Sequence, residues 1–242
     1  MPKNEVSIVV STYGREDHLR NLVHSARYTF GNGCYEVIAV SSDTPGTKLD
    51  WMSQQPDVTT IIADQRQHWE RRKKSLYAYE NIGIMAASKE WVFVTNDDTS
   101  LHSSFYPELA KIGDDYDVIM VSGHLGDVGL GCRTAIIGSI TPPSCSERPL
   151  YLYDFTLIRK SVYEKIGYLD EGLDWFGKGF DLAMKCEIQP GLRICYESGL
   201  KVEHAITPEG RQPPHYVLDF QYATDKWSKW CSENNWKFSW PW

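Results

Sequence analysis

Val92-Phe93-Val94-Thr95-Asn96-Asp97-Asp98-Thr99 sets an oily, β-branched run directly against an amide and two carboxylates. Such a run reads as a strand buried on both faces, and the polar triplet marks its carboxyl end. The same pattern recurs upstream. Val6 to Val10 is a β-branched run stopped by S-T-Y-G, Glu36 to Val40 ends in S-S-D-T-P-G, and Val58 to Ala63 forms a third segment. Between these runs apolar residues recur at helical spacing, first Leu19, Leu22, Val23 and Ala26, then Leu76, Tyr79, Ile82 and Met85 within Lys73 to Ser88. Strand and helix therefore alternate, which predicts right-handed crossovers and an α/β fold with a mainly parallel central sheet flanked by helices. In such sheets ligands bind at the carboxyl ends of the strands, so S-T-Y-G, S-S-D-T and T-N-D-D are expected to converge.

The second half of the chain is less regular. A helix is expected near Ser103 to Ile112, then the strand D-V-I-M-V-S-G, then a loop-rich region punctuated by Gly126, Gly129, Gly131, Pro142 and Pro143. Y-L-Y-D-F-T-L-I reads as a strand, S-V-Y-E-K-I-G as a short helix and G-F-D-L-A-M-K-C as the start of another. L-R-I-C-Y and L-K-V-E-H read as short strands, and the tail from Tyr216 as a helix closing in W-K-F-S-W-P-W. At 242 residues and 42% hydrophobic content, one domain over 1–242 is the expectation. The net charge of -7, from 25 basic and 32 acidic residues, provides no field for nucleic acid or anionic lipid. The six cysteines lack C-x-x-C spacing, which favours a reducing, cytoplasmic location over a zinc or disulfide framework. No stretch approaches the roughly 18 apolar residues of a membrane span, so a soluble protein is expected.

Several polar positions could carry chemistry. Asn96 and Asp98, two apart on an extended chain, point to one side and can face a divalent cation or a ribose. Oxygen ligands of this kind suit Mg2+ or Mn2+. The competing reading is a helix N-cap or a turn former. Asp181 opens a helix just after Trp175 and Phe176, where it serves either as a general base in an aromatic pocket or as a negative charge at a helix N-terminus. His204 ends a late strand, as a ligand or as a structural imidazole. Arg66 and the run Glu70 to Lys74 form the dense basic cluster, either a solvated helix face or a diphosphate contact.

Taken in order, these segments resemble the inverting GT-A fold glycosyltransferases, in particular the family 2 enzymes that use nucleotide sugars. V-S-I-V-V-S-T-Y-G-R is similar to the family's opening strand and turn, N-I-G-I-M-A-A-S to its Asn-x-Gly-Ile helix, and T-N-D-D-T to its D-x-D element. Y-D-F-T-L-I-R-K, G-Y-L-D-E-G-L-D-W-F-G-K-G-F-D-L and V-E-H complete the series, from about Val6 to about Gly210. The resemblance implies a GT-A fold with a small antiparallel sheet on the acceptor side. It divides the domain into a nucleotide-binding half (1–100), an acceptor and catalytic half (101–215) and an aromatic helical tail (216–242). It places Thr12, Tyr13, Arg15, Ser42, Asp43, Asn81, Asn96 and Asp97 around a nucleotide sugar. Asp98 and His204 would hold Mn2+ or Mg2+, and Asp181 would be the catalytic base. The reaction implied is metal-assisted, inverting transfer of one hexose or pentose to a hydroxyl of a glycan, lipid-linked or protein-glycan acceptor.

The chain departs from the family at three places. Ser41 and Ser42 precede a single Asp43 where two aspartates are common. Glu80-Asn81 replaces the usual Arg-Asn and removes a cation. Lys178-Gly179 replaces the common Glu-Asp, which leaves Asp174 and Asp170 as further candidates for the base. A sugar-1-phosphate nucleotidyltransferase shares the architecture, but S-T-Y-G-R-E-D lacks that class's glycine-rich phosphate loop. A transferase-like module that only holds a sugar or nucleotide is the other alternative.

Overall fold

A computed structural model of the chain describes residues 4–12, 15–31, 33–41, 50–63, 75–121, 123–125, 155–173, 178–196, 198–204 and 216–235. The first half runs β1 (Val6–Thr12), α1 (Glu16–Phe30), β2 (Tyr35–Ser41), α2 (Asp50–Ser53), β3 (Val58–Ile62), α3 (Leu76–Ala86) and β4 (Trp91–Asn96). Then come β5 (Thr99–Leu101), α4 (Phe105–Ile112), β6 (Val118–Met120), β7 (Gly123–Leu125), β8 (Thr156–Arg159) and α5 (Lys160–Ile166). The chain continues through α6 (Lys178–Glu187), β9 (Ile194–Cys195), β10 (Lys201–His204) and α7 (Tyr216–Glu233). Among the described residues no helix is long and apolar enough to cross a membrane.

The central sheet has the order β3-β2-β1-β4-β8-β6-β9. β1 pairs in parallel with both β2 and β4, and β8 lies antiparallel between β4 and β6. The continuous apolar runs follow from burial on both faces. Ile8 and Val10 pack with Leu19, Leu22, Val23 and Ala26 of α1, while the intervening Val9 packs with Tyr77 and Ile84 of α3. Helix α3 starts at Leu76 because the Ser75 hydroxyl accepts the Tyr77 N–H at 3.1 Å, a side-chain cap for the first turn.

Gly83 is where α3 meets the sheet most closely. A Cβ there would stand 2.4 Å from Val9 Cγ1 and 3.2 Å from Val40 Cγ2. Gly83→Ala is therefore expected to destabilise the fold by about 1–2 kcal/mol, overpacking outweighing the gain in helix propensity. Chemical denaturation measures it, and an unchanged midpoint would show that Val9 yields.

A second sheet has the order β5-β10-β7, with β10 antiparallel to β5 and parallel to β7. The expected antiparallel acceptor-side pair is thus extended by one parallel strand. Asp97 and Asp98 form the turn between β4 and β5, and no helix follows them directly. The capping alternative for N-D-D falls on this point, since the next helix begins at Phe105 behind Ser104.

Candidate functional site

The register of β1 against β4 aligns Ser11 with Asn96, so Thr12 and the N-D-D turn leave the sheet side by side. The Thr12 hydroxyl donates to Asp97 Oδ2 at 3.0 Å. Arg15, at the start of α1, donates from Nε to the same oxygen at 3.2 Å and from Nη2 to Asp97 Oδ1, and Nη1 reaches Asp98 Oδ2 at 3.2 Å. An arginine is a poor helix cap, and this one makes no capping bond; its side chain is committed across the crevice instead. Burial pushes the Asp97 carboxyl above its ordinary range, against the opposing pull of Arg15 and Thr12. Burial disfavours the Arg15 charge too, but Asp97 and Asp98 outweigh it and hold the guanidinium protonated.

The second sheet brings the histidine. Pairing of β10 with β5 sets His204 opposite Thr99, which carries its ring over Asp98. His204 Nε2 lies 2.9 Å from Asp98 Oδ1 and 3.3 Å from Asn96 Nδ2, with the Phe155 ring edge-on at 5.5 Å. Nε2 has one role at a time: protonated it donates to Asp98, unprotonated it accepts from Asn96. Burial raises the Asp98 carboxyl, yet the hydrogen bond and charge of His204, with the charge of Arg15, leave it below its usual value.

The donor set suits a divalent cation. Asp98 offers a carboxylate oxygen of the kind that Mn2+ or Mg2+ accepts, with the His204 ring nitrogen 2.9 Å away. Among the described residues no group of three or more His, Cys, Asp or Glu side chains forms a complete metal cage. A cation here would rest on Asp98 and His204, with the Asn96 amide beside them and positions left for a ligand's oxygens.

The candidates in the second half of the chain form a separate cluster. Asp181 is 2% exposed. Its Oδ1 accepts from Lys226 Nζ at 2.6 Å and Trp227 Nε1 at 2.8 Å, and its Oδ2 faces Lys185 Nζ at 3.1 Å. Lys226 also reaches Asp170 Oδ2 at 2.5 Å, and Tyr222 donates to the same carboxylate at 3.2 Å. Two carboxylates thus share one lysine of α7, which ties this helix to α6 and to the loop after α5. Asn81 grips that loop as well, donating to the Leu169 carbonyl and Glu171 and accepting from the Leu169 N–H, each at 3.0 Å. Its amide is occupied by the Leu169 backbone and the Glu171 side chain.

Two apparent losses in the sequence compensate each other. Glu80 is fully buried, and Lys178 reaches both its oxygens at 3.1 and 3.2 Å. Lys178, Lys226 and Trp227 were not candidates in the sequence; the opposite charges of Glu80 and Lys178 were the available signal. Tyr13, Ser42, Asp43, Asp174 and the basic cluster from Arg66 to Lys74 lie outside the described residues.

No protein-family profile and no curated protein matches this chain. Solved structures do. S. aureus TarS 1-349 is 15% identical with a TM-score of 0.64, over 83% of this chain and 60% of that one. The same fragment in complex with UDP-GlcNAc is 15% identical with a TM-score of 0.63, over 88% and 60%. GalNAc-T7 with UDP, GalNAc and Mn2+ is 15% identical with a TM-score of 0.63, over 93% and 48%. The chain spans about 60% of the TarS fragment and about half of the GalNAc-T7 chain. Both are GT-A-type glycosyltransferases. At this identity the likeness establishes architecture: the chain has the GT-A fold.

Proposed function

We propose that this chain is a glycosyltransferase that moves one hexose or pentose from a nucleoside-diphosphate sugar to an acceptor hydroxyl, with metal assistance and inversion at the anomeric carbon. One observation carries the reading: Thr12, Arg15, Asn96, Asp97, Asp98 and His204 meet where β1, β4 and β10 end, on a GT-A fold. Solved neighbours of the same fold hold UDP-GlcNAc, or UDP, GalNAc and Mn2+.

In this reading Asp98 and His204 hold a divalent cation of the Mn2+ or Mg2+ type, which when bound offsets negative charge on the departing diphosphate. Asp97 faces Arg15 and Thr12, and its work is to hold the guanidinium at the site. Tyr13, Ser42 and Asp43 are proposed to complete the nucleotide pocket. Sequence resemblance assigns the base to Asp181. Exposure favours a second assignment, since Asp170 is 17% exposed at its side chain and Asp181 only 2%. A base takes a proton from an acceptor hydroxyl within about 2.6–3.2 Å, and the more open carboxylate is the easier to approach.

Calorimetry with UDP, GDP and dTDP, each with and without Mn2+, tests the donor. One nucleotide is expected to bind more tightly with the metal, and Asp98→Ala is expected to lower that metal-dependent affinity at least about tenfold. If no nucleotide binds with any metal, the transferase reading loses its basis. If Asp98→Ala keeps the metal-dependent gain, Asp98 leaves the metal site.

A further inference from the structure

Arg15 occupies the place from which a cation at Asp98 must be judged. A guanidinium has five N–H donors. One on each of Nε, Nη1 and Nη2 is engaged with Asp97 or Asp98. Asp98 is divided, with Oδ1 toward His204 Nε2 and Oδ2 toward Arg15 Nη1. A metal held by Asp98 and His204 would share this carboxylate with the positive charge of Arg15. Arg15 also halves the negative charge that Asp97 and Asp98 would otherwise present. Its side chain is 44% exposed and is anchored through Asp97, which is 2% exposed, so the guanidinium can turn to solvent or to another anion.

Building on the metal-assisted reading, we infer that Arg15 is an internal counter-ion that competes with the divalent cation for Asp98 and keeps metal affinity low until a diphosphate is present. Its remaining N–H donors suit the oxygens of a nucleoside diphosphate, since guanidinium pairs with phosphate in a fork. Once Arg15 turns part of its charge to the diphosphate, Asp98 is released to the cation. Cation and nucleotide then raise each other's affinity by the same factor, as linkage requires. The device explains why a site with an amide at Asn96, short of negative charge, still carries an arginine on its ligand carboxylate.

The test measures Mn2+ alone, without nucleotide, by electron paramagnetic resonance of the free ion. Wild type is compared with Arg15→Gln, Arg15→Met and Arg15→Lys, each shown to be folded by circular dichroism at the titration temperature. Removing the charge in the Gln and Met variants is expected to tighten Mn2+ binding about tenfold; the Lys variant, which keeps it, is expected to stay near wild type. Equal or weaker binding by both uncharged variants overturns the inference, as does a Lys variant as tight as they are, or no Mn2+ uptake by any of the four proteins. The transferase reading stands or falls separately, on the nucleotide titration.

Discussion

Asp181→Asn is expected to cost about 3–5 kcal/mol of stability, the effect of breaking a buried ion pair from one side. Lys226 and Lys185 would face a neutral amide, and Trp227 would lose a charged acceptor. Asp170→Asn leaves Lys226 paired with Asp181 and is expected to be much milder in a thermal melt. Turnover separates the two carboxylates in the other direction. With Asp170 as the base, Asp170→Asn lowers kcat by about 10²–10⁴ while nucleotide affinity is retained, and Asp181→Asn loses activity only with folded protein. The reverse pattern, with Asp181→Asn folded but inactive and Asp170→Asn near wild type, returns the base to Asp181.

Lys178→Met is the second large effect. Glu80 has no solvent exposure, and deleting the ammonium that reaches both its oxygens leaves a buried carboxylate without that cation. The expected cost is about 3–5 kcal/mol. Pairing it with Glu80→Gln is expected to recover most of the loss, because the buried negative charge is removed together with the cation that faced it. Denaturant melts of the two single variants and the double variant close the cycle. Additive losses would show that Lys178 and Glu80 do not act as a pair. The same experiment tests whether this ion pair keeps α3 and α6 together.

What could be read in the sequence were features with a strong local cause. The β-branched runs at Val6 to Val10, Glu36 to Val40 and Val92 to Thr95 are strands because alternate residues bury against α1 and α3 on opposite faces. The helical spacing of Leu19, Leu22, Val23 and Ala26 places α1 correctly. With alternation and handedness, these were enough for a parallel sheet and a crevice holding Thr12, Arg15 and N-D-D. Short strands were less legible: β5 and β7 span three residues each, too few for a period, and exist because β10 offers each of them a ladder. Charge partners were the least legible. Nothing local separates Asp181 as a base from Asp181 as an anchor, or Glu80 as a lost cation from Glu80 as half of an ion pair. Lys226 lies 45 residues from Asp181, and Lys178 lies 98 from Glu80. Hydrophobic periodicity is written into neighbouring residues, so the sequence alone determined the layers and the strand ends at which Thr12, Arg15 and N-D-D meet. The partner of a buried charge is selected by packing between distant segments, so tertiary structure alone decided which carboxylates are bound to lysines and which stand beside His204 and Arg15.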